Sequence, residues 1–271
     1  MSYFLTSDNV KLFYQVTGRG KTILFIHGWS ACHEYYQKQI DAFSKDYQVV
    51  VYDLRGHGIS ENPTFGHDLG TYARDLKELM DHLDLRDIVL VGWSMGVHVL
   101  YEYIRQYGCD NLRKICTVDQ SAKFCTDETW DLGLYMNYPA KDVLVDLDTM
   151  SKNWITFADL LVPALFAKNT KATKEDLKWY YEKTYNNSTD VMVRMWLAMA
   201  LTDYRELLGT ISVPALITCG KEDVGHRLPP MEYQVEKIPD ARLVVFDNCG
   251  HTLFAEDPVR FNAVLKAFIE E

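Results

Sequence analysis

Several features that would place this 271-residue chain in a particular class of protein are missing from its sequence. It has no apolar run of roughly eighteen residues, the length that a transmembrane helix needs. Lys and Arg number 28 against 38 Asp and Glu, a formal net charge of −10, so the basic excess of a nucleic-acid-binding protein is absent. We therefore expect no membrane span and no nucleic-acid partner.

Targeting and disulfide signals are also absent. The N-terminal stretch "MSYFLTSDNVKLFY" does not have the basic segment followed by an apolar segment that is typical of a signal peptide. The six cysteines are scattered and form no C-x-x-C pair, which favours reduced thiols over a disulfide framework. These absences together predict a cytoplasmic protein.

The sequence contains no P-loop, no dinucleotide-binding fingerprint and no metal-ligand spacing. We therefore expect neither a cofactor nor a metal ion. What the chain does have is an ordinary proportion of hydrophobic residues, 48%, which is enough to build a sizeable core.

Short apolar runs rich in Val and Ile recur along the chain, as in strands that are buried on both faces of a parallel sheet. They are "TILFIHG", "YQVVVYD", "DIVLVGW", "KICTVD", "PALITCG" and "ARLVVFD". An alternating stretch at the N-terminus, "SYFLT" and "VKLFYQV" around "SDN", predicts a hairpin. Helical patterns separate the buried runs, and the last of them begins with Asp257 as N-cap and Pro258 in the first turn. The pattern predicts an α/β fold with a mostly parallel, doubly wound sheet of eight strands.

Residues 121–209 interrupt the alternation of strand and helix. The segment has no convincing buried strand, and it is helical and dense in Trp, Tyr, Phe and Met. An insertion at the carboxyl ends of the strands would lie over the binding crevice of such a sheet. We therefore predict a core made of residues 1–120 and 210–271, with residues 121–209 inserted as a helical cap.

The stretch "VGWSMGV" places Ser94 between two glycines, where a predicted strand ends and a helix begins. A Gly-x-Ser-x-Gly sequence by itself is weak evidence, since it is often an ordinary turn. A tight turn between strand and helix can, however, present a serine hydroxyl at the edge of the sheet, and Gly92 and Gly96 would avoid collisions there. Ser94 is therefore a candidate nucleophile.

A serine nucleophile needs a base, and the base needs an acid to orient it. His251 follows the strand "ARLVVFD" and is the preferred base; the other histidines are expected to be structural, loop or surface residues. Asp223 follows "PALITCG" and is the preferred acid, because Ser94, Asp223 and His251 then occur in the chain order of this kind of site. Asp119, after "KICTVD", is the alternative acid.

Two backbone N–H groups are expected to bind the oxyanion of a tetrahedral intermediate. One belongs to Met95, the residue after the candidate nucleophile, and the other to Trp29 in the loop after the first buried strand. Another polar loop, "DLRGHGIS", is expected to be a structural network in which Asp53 pairs with Arg55.

The motifs "HGWS", "DLRGHGIS", "GWSMG", "GKED" and "GHTLFAEDP" together resemble the α/β-hydrolase superfamily, in particular its cofactor-free haloperoxidase/esterase and lactonase-like members. This resemblance implies the α/β-hydrolase fold, with Ser94 as nucleophile, His251 as base, Asp223 as acid and the Trp29 and Met95 amides as oxyanion hole. The chain departs from the family at Val97, where a second glycine is frequent, and in "VGHRLPP", where the prolines come late.

We accordingly expect a serine hydrolase that cleaves a small to medium carboxylic ester with an apolar group, through an acyl-enzyme. The same residues could instead cleave a C–C bond or a lactone, or form a peracid in perhydrolase or haloperoxidase-type chemistry. A non-catalytic ligand-binding protein on the same fold is the alternative from a different class.

Overall fold

One sheet of eight strands organises the computed structural model, which describes residues 2–271. The strands are β1 (Ser2–Leu5), β2 (Lys11–Thr17), β3 (Thr22–Ile26), β4 (Gln48–Tyr52), β5 (Ile88–Trp93), β6 (Leu112–Val118), β7 (Ala215–Gly220) and β8 (Ala241–Phe246). Their order across the sheet is β1-β2-β4-β3-β5-β6-β7-β8. The hairpin β1–β2 and the pair β2–β4 are antiparallel, and all other neighbours are parallel. The predicted mostly parallel, eight-stranded sheet is confirmed.

Helices cover both faces of the sheet. They are α1 (Gln37–Phe43), α2 (Leu69–His82), α3 (Met95–Tyr107), α4 (Ala140–Lys152), α5 (Trp154–Ala164), α6 (Lys174–Tyr185), α7 (Thr189–Ala200), α8 (Arg205–Leu208), α9 (Leu228–Lys237), α10 (Leu253–Glu256) and α11 (Pro258–Glu270). Short 3-10 helices occur at His33–Tyr36 and Leu134–Met136. Across residues 2–271, no helix has both the length and the apolarity needed to cross a bilayer.

The apolar runs form strands because alternate side chains enter separate cores on the two faces of the sheet. Leu24 of β3 belongs to a core that also contains residues of α2 and α3, whereas Phe25 belongs to one with residues of α1 and α11. Every residue of β3, β5 and β7 is buried. The predicted start of α11 is also confirmed, since the Asp257 side chain accepts a hydrogen bond from the Arg260 N–H.

Helices α4 to α8 lie between β6 and β7 in the chain, where the helical insertion was expected. This segment packs against the loop that follows β3. The Trp29 ring lies 5.4 Å from that of Trp154 and 4.7 Å from that of Trp196, measured between centroids. The division into a core and a cap stays a prediction.

The predicted pairing of Asp53 with Arg55 is wrong. Arg55 forms two hydrogen bonds with Asp75 of α2, at 2.9 and 2.7 Å, and another with Asp8 at 2.9 Å. Oδ1 of Asp53 instead lies 2.8 Å from Nδ1 of His33. The tight polar turn directs the two side chains to different neighbours, which their closeness in the sequence does not reveal.

Glycine allows the close approach between β5, α3 and β3. A Cβ atom on Gly96 would lie 2.3 Å from the Ile26 carbonyl oxygen, and one on Gly92 would lie 2.5 Å from the Gly96 carbonyl oxygen. Both obstacles are backbone atoms, which cannot move aside as a flexible side chain can.

Replacing Gly96 with Ala should therefore lower the free energy of unfolding by about 3 kcal/mol, the upper part of the usual range for overpacking. The matched control is Gly209→Ala, because a Cβ there would meet nothing closer than 4.0 Å. That control should change the free energy by less than about 1 kcal/mol. Urea denaturation of both variants measures the difference, and equal stabilities would contradict the packing described above.

Candidate active site

Ser94 stands between β5 and α3 with a backbone conformation that is unusual for a residue with a side chain. Its φ is 54° and its ψ is −124°, in a sparsely populated region. The Ser94 N–H donates to the Val118 carbonyl oxygen at 2.9 Å, which holds this conformation against the end of β6. Ser94 is partly exposed, whereas the residues on either side of it are buried. The turn thus presents the hydroxyl at the carboxyl end of β5.

Asp223 and His251 meet at the ends of β7 and β8. Nδ1 of His251 lies 3.0 Å from Oδ2 of Asp223, and both side chains are buried. The Asp223 carboxylate also accepts hydrogen bonds from the Gly225 N–H at 2.8 Å and the His226 N–H at 3.1 Å. Its orientation is therefore set by the backbone of its own loop.

The contact between Asp223 and His251 shifts the pKa values of both groups. Burial alone would lower the pKa of His251, but the Asp223 charge outweighs burial, and the pKa is raised well above the ordinary value of 6.5. Burial alone would raise the pKa of Asp223, but the His251 charge and the hydrogen bonds lower it below the ordinary value of 3.8. The pair thus favours a carboxylate beside a basic imidazole.

Ser94, Asp223 and His251 line one cavity, which lies at the carboxyl ends of the strands. The other walls are mostly apolar: Trp29, Trp93, Phe124, Leu134, Tyr135, Leu161, Ala164, Leu165, Trp196, Met199, Val224, Gly225 and His226.

The loop after β3 touches Ser94. A Cβ atom on Gly28 would lie 3.0 Å from the Cβ of Ser94, so any larger residue here would require its neighbours to move by a few tenths of an ångström. The backbone N–H of Trp29 donates to no group in the part of the chain that the structure describes. Met95 is the first residue of α3, and its N–H therefore has no partner within the helix. Two backbone donors accordingly flank the serine.

Asp119, the alternative acid, directly follows β6 and also approaches His251. Its Oδ2 is 3.8 Å from Nδ1 of His251, farther than the 3.0 Å of Asp223. Burial and the nearby Asp223 charge raise the pKa of Asp119 well above its ordinary value. The structure thus brings both candidate acids to the same imidazole nitrogen.

His226 is a site residue that the sequence analysis missed. It was expected only as a loop or surface residue, but it is buried in the loop after β7, and its ring lies 5.0 Å from the His251 ring with an angle of 16° between the planes. Its Nδ1 is 3.5 Å from Oδ2 of Asp223. The signal that could have revealed it is its position three residues after Asp223, within reach of an Asx-type turn.

Asp223, His226 and His251 are also the only potential metal-binding group in residues 2–271, with ligand atoms within 4.8 Å of one another. A metal ion lies close to the plane of each imidazole that binds it. Because these two rings are nearly parallel, they would have to turn before both could bind one ion. The arrangement therefore suits hydrogen bonding to Asp223 better than coordination.

The structural roles expected for two further histidines are confirmed. Nε2 of His27 accepts the Leu54 N–H at 3.0 Å, and Nε2 of His98 lies 3.0 Å from the Ser121 carbonyl oxygen. His33, His57 and His67, for which a loop or surface position was expected, are buried as well. Seven of the eight histidines are thus buried.

The His251 loop is held by residues distant in the sequence. The Trp93 indole N–H donates to the His251 carbonyl oxygen at 2.9 Å. The Glu256 carboxylate accepts hydrogen bonds from the Gly250 N–H at 2.7 Å and the Ala167 N–H at 3.1 Å. Glu256 therefore connects the loop to the segment between β6 and β7.

Comparisons with known proteins agree with this architecture. Residues 21–258 match the family model described as alpha/beta hydrolase fold. The chain is 38% identical to a non-heme chloroperoxidase of Streptomyces lividans, over 100% of both chains. It is 28% identical to the bifunctional esterase/perhydrolase DCH of Acinetobacter calcoaceticus, over 99% of both.

Among solved structures, an esterase from Exiguobacterium antarcticum has a TM-score of 0.94 at 24% identity. The match covers 100% of this chain and 99% of the esterase chain. The bromoperoxidase from Bacillus anthracis has a TM-score of 0.93 at 24% identity over 100% of both chains. The predicted resemblance and fold are confirmed: the protein belongs to the α/β-hydrolase family, with esterase and haloperoxidase relatives.

Proposed function

We propose that the protein is a serine hydrolase that cleaves carboxylic esters through an acyl-enzyme on Ser94. The observation that carries this proposal is the buried contact between Asp223 and His251, at 3.0 Å, in the cavity that Ser94 lines. A serine hydroxyl is weakly nucleophilic, and a histidine oriented by an acid is the usual means of activating it.

In the first half of the reaction, Nδ1 of His251 faces Asp223, which leaves Nε2 to accept the Ser94 proton. The serine oxygen attacks the ester carbonyl carbon, and the Trp29 and Met95 N–H groups stabilise the oxyanion. His251 then transfers the proton to the departing alkoxide, and the acyl group stays on Ser94. Asp223 remains ionised and stabilises the imidazolium.

In the second half, His251 removes a proton from water, and the resulting hydroxide attacks the acyl carbon. A second tetrahedral intermediate forms at the same oxyanion site and collapses to the free acid. His251 returns the proton to Ser94, which restores the enzyme.

Apolar cavity walls favour an ester with an apolar acyl or alcohol group. Eight of the lining residues come from the segment 121–209: Phe124, Leu134, Tyr135, Leu161, Ala164, Leu165, Trp196 and Met199. We propose that this segment is a cap that selects the substrate, placed on a core of residues 1–120 and 210–271. A cytoplasmic location stays a prediction from the sequence.

Perhydrolysis is a second candidate, because a relative that matches 99% of the chain is named a bifunctional esterase/perhydrolase. Hydrogen peroxide would then replace water in the second half of the reaction and release a peracid. Both reactions need the same acyl-enzyme, so they differ only in the acceptor.

Substituting Ser94 by Ala should lower kcat/KM for 4-nitrophenyl butyrate by about 10⁴-fold or more, because the nucleophile is lost. The control is Ser151→Ala, because Ser151 is exposed on α4. This variant should hydrolyse the ester as fast as the wild type. Product analysis with and without peroxide separates acid from peracid.

Ester turnover retained by Ser94→Ala would overturn the assignment of the nucleophile. A folded wild-type protein that neither hydrolyses esters nor reacts with a fluorophosphonate would instead support a non-catalytic binding protein.

A further inference from the structure

We propose that Asp119 is a second positioning acid for His251, which can hold the imidazole when Asp223 is removed. The inference rests on the proposed roles of Asp223 and His251, and it adds a residue for which the reaction described above has no use. Its basis is the arrangement of two buried carboxylates around one nitrogen.

Both acids face Nδ1 of His251. The distances are 3.0 Å from Oδ2 of Asp223 and 3.8 Å from Oδ2 of Asp119, so a shift of less than about one ångström would bring Asp119 into hydrogen-bond range. Asp119 belongs to the neighbouring strand end, where its N–H donates to the Thr218 carbonyl oxygen at 2.9 Å. Nδ1 of His251 thus lies near one carboxylate that follows β6 and another that follows β7.

The Asp119 carboxyl group has fewer hydrogen-bond partners than a purely structural residue would need. It is 0% exposed, and its Oδ1 has no hydrogen-bond partner in residues 2–271. Its Oδ2 accepts the Gly220 N–H at 3.2 Å. Asp119 also has a φ of 53°, which is strained for a residue other than glycine. Burying a carboxyl oxygen without a hydrogen-bond partner costs free energy. Such an atom in a native structure therefore indicates a role other than packing.

Electrostatics explain why Asp119 does not accept the Nδ1–H of His251 while Asp223 is present. The titratable groups that face Asp119 are Asp223, His251 and the Cys219 thiol. Burial and the Asp223 charge raise the pKa of Asp119, so its carboxyl group keeps its proton. Removing the Asp223 charge lowers that pKa, and Asp119 can then release its proton to solvent and accept the Nδ1–H of His251.

The test is a cycle of three variants: Asp119→Asn, Asp223→Ala and the double variant. Alanine is chosen at position 223 because an asparagine amide could donate to Nδ1 and stabilise the wrong imidazole tautomer. Asparagine is chosen at position 119 because it keeps an oxygen for the Gly220 N–H. Urea denaturation checks the fold of each variant, and Asp119→Ser replaces any Asp119→Asn variant that does not fold.

The first measurement is the pKa of His251 by NMR titration, with the signal assigned through its loss in His251→Gln. We expect this pKa to be at least about half a unit higher in Asp223→Ala than in the double variant, because only the former keeps a carboxylate beside Nδ1. Asp119→Asn alone should leave the pKa of His251 close to the wild-type value, because the Asp119 carboxyl group is uncharged while Asp223 is present. These readouts do not depend on enzyme activity.

The second measurement is kcat/KM for 4-nitrophenyl butyrate. Asp223→Ala should lose about 100-fold, and the double variant should lose about 100-fold more, since complete loss of the orienting acid costs about 10⁴-fold. A His251 pKa and a kcat/KM that are the same in Asp223→Ala and the double variant would overturn the role of Asp119. Failure of the proposed hydrolase would appear separately, as ester turnover that survives in Ser94→Ala.

Discussion

The contact between the Asp223 carboxylate and Nδ1 of His251 joins two loops across 28 residues of the chain, and the chemistry proposed for the site depends on it. In the proposed mechanism it occupies Nδ1 and leaves Nε2 for Ser94, and it raises the pKa of the imidazole. Removing one partner from a buried, charge-assisted pair leaves the other unsatisfied, a cost of about 3–5 kcal/mol. The surrounding structure keeps the two groups together through Glu256, Trp93 and the turn after β7.

The parallel sheet makes this contact possible. Strands β3, β5, β6, β7 and β8 run in the same direction, so their carboxyl ends meet at one edge. The residues that follow them, from Trp29 to His251, therefore surround one cavity although they are far apart in the sequence. Glycines at positions 28, 92 and 96 permit the close backbone approaches around Ser94.

The sequence predicts the parts of this arrangement that depend on local patterns. Apolar runs predict the strands. The chain order of Ser94, Asp223 and His251 predicts which strand ends carry the candidate site residues. The roles of these three residues in catalysis stay predictions. The partners of individual side chains could not be predicted in this way. The contacts of Asp53 with His33, Arg55 with Asp75 and His226 with His251 depend on how distant loops pack, and no local pattern encodes them.

The most direct test of the account is the pH dependence of the reaction between Ser94 and a fluorophosphonate, followed by intact-protein mass spectrometry. His251 must be neutral to accept the serine proton, and its pKa is raised above 6.5. The rate of modification should therefore increase with pH through one ionisation whose midpoint lies above about 6.5, the ordinary histidine value. A rate that is independent of pH, or a midpoint below that value, would contradict the claim that His251, held by Asp223, activates Ser94.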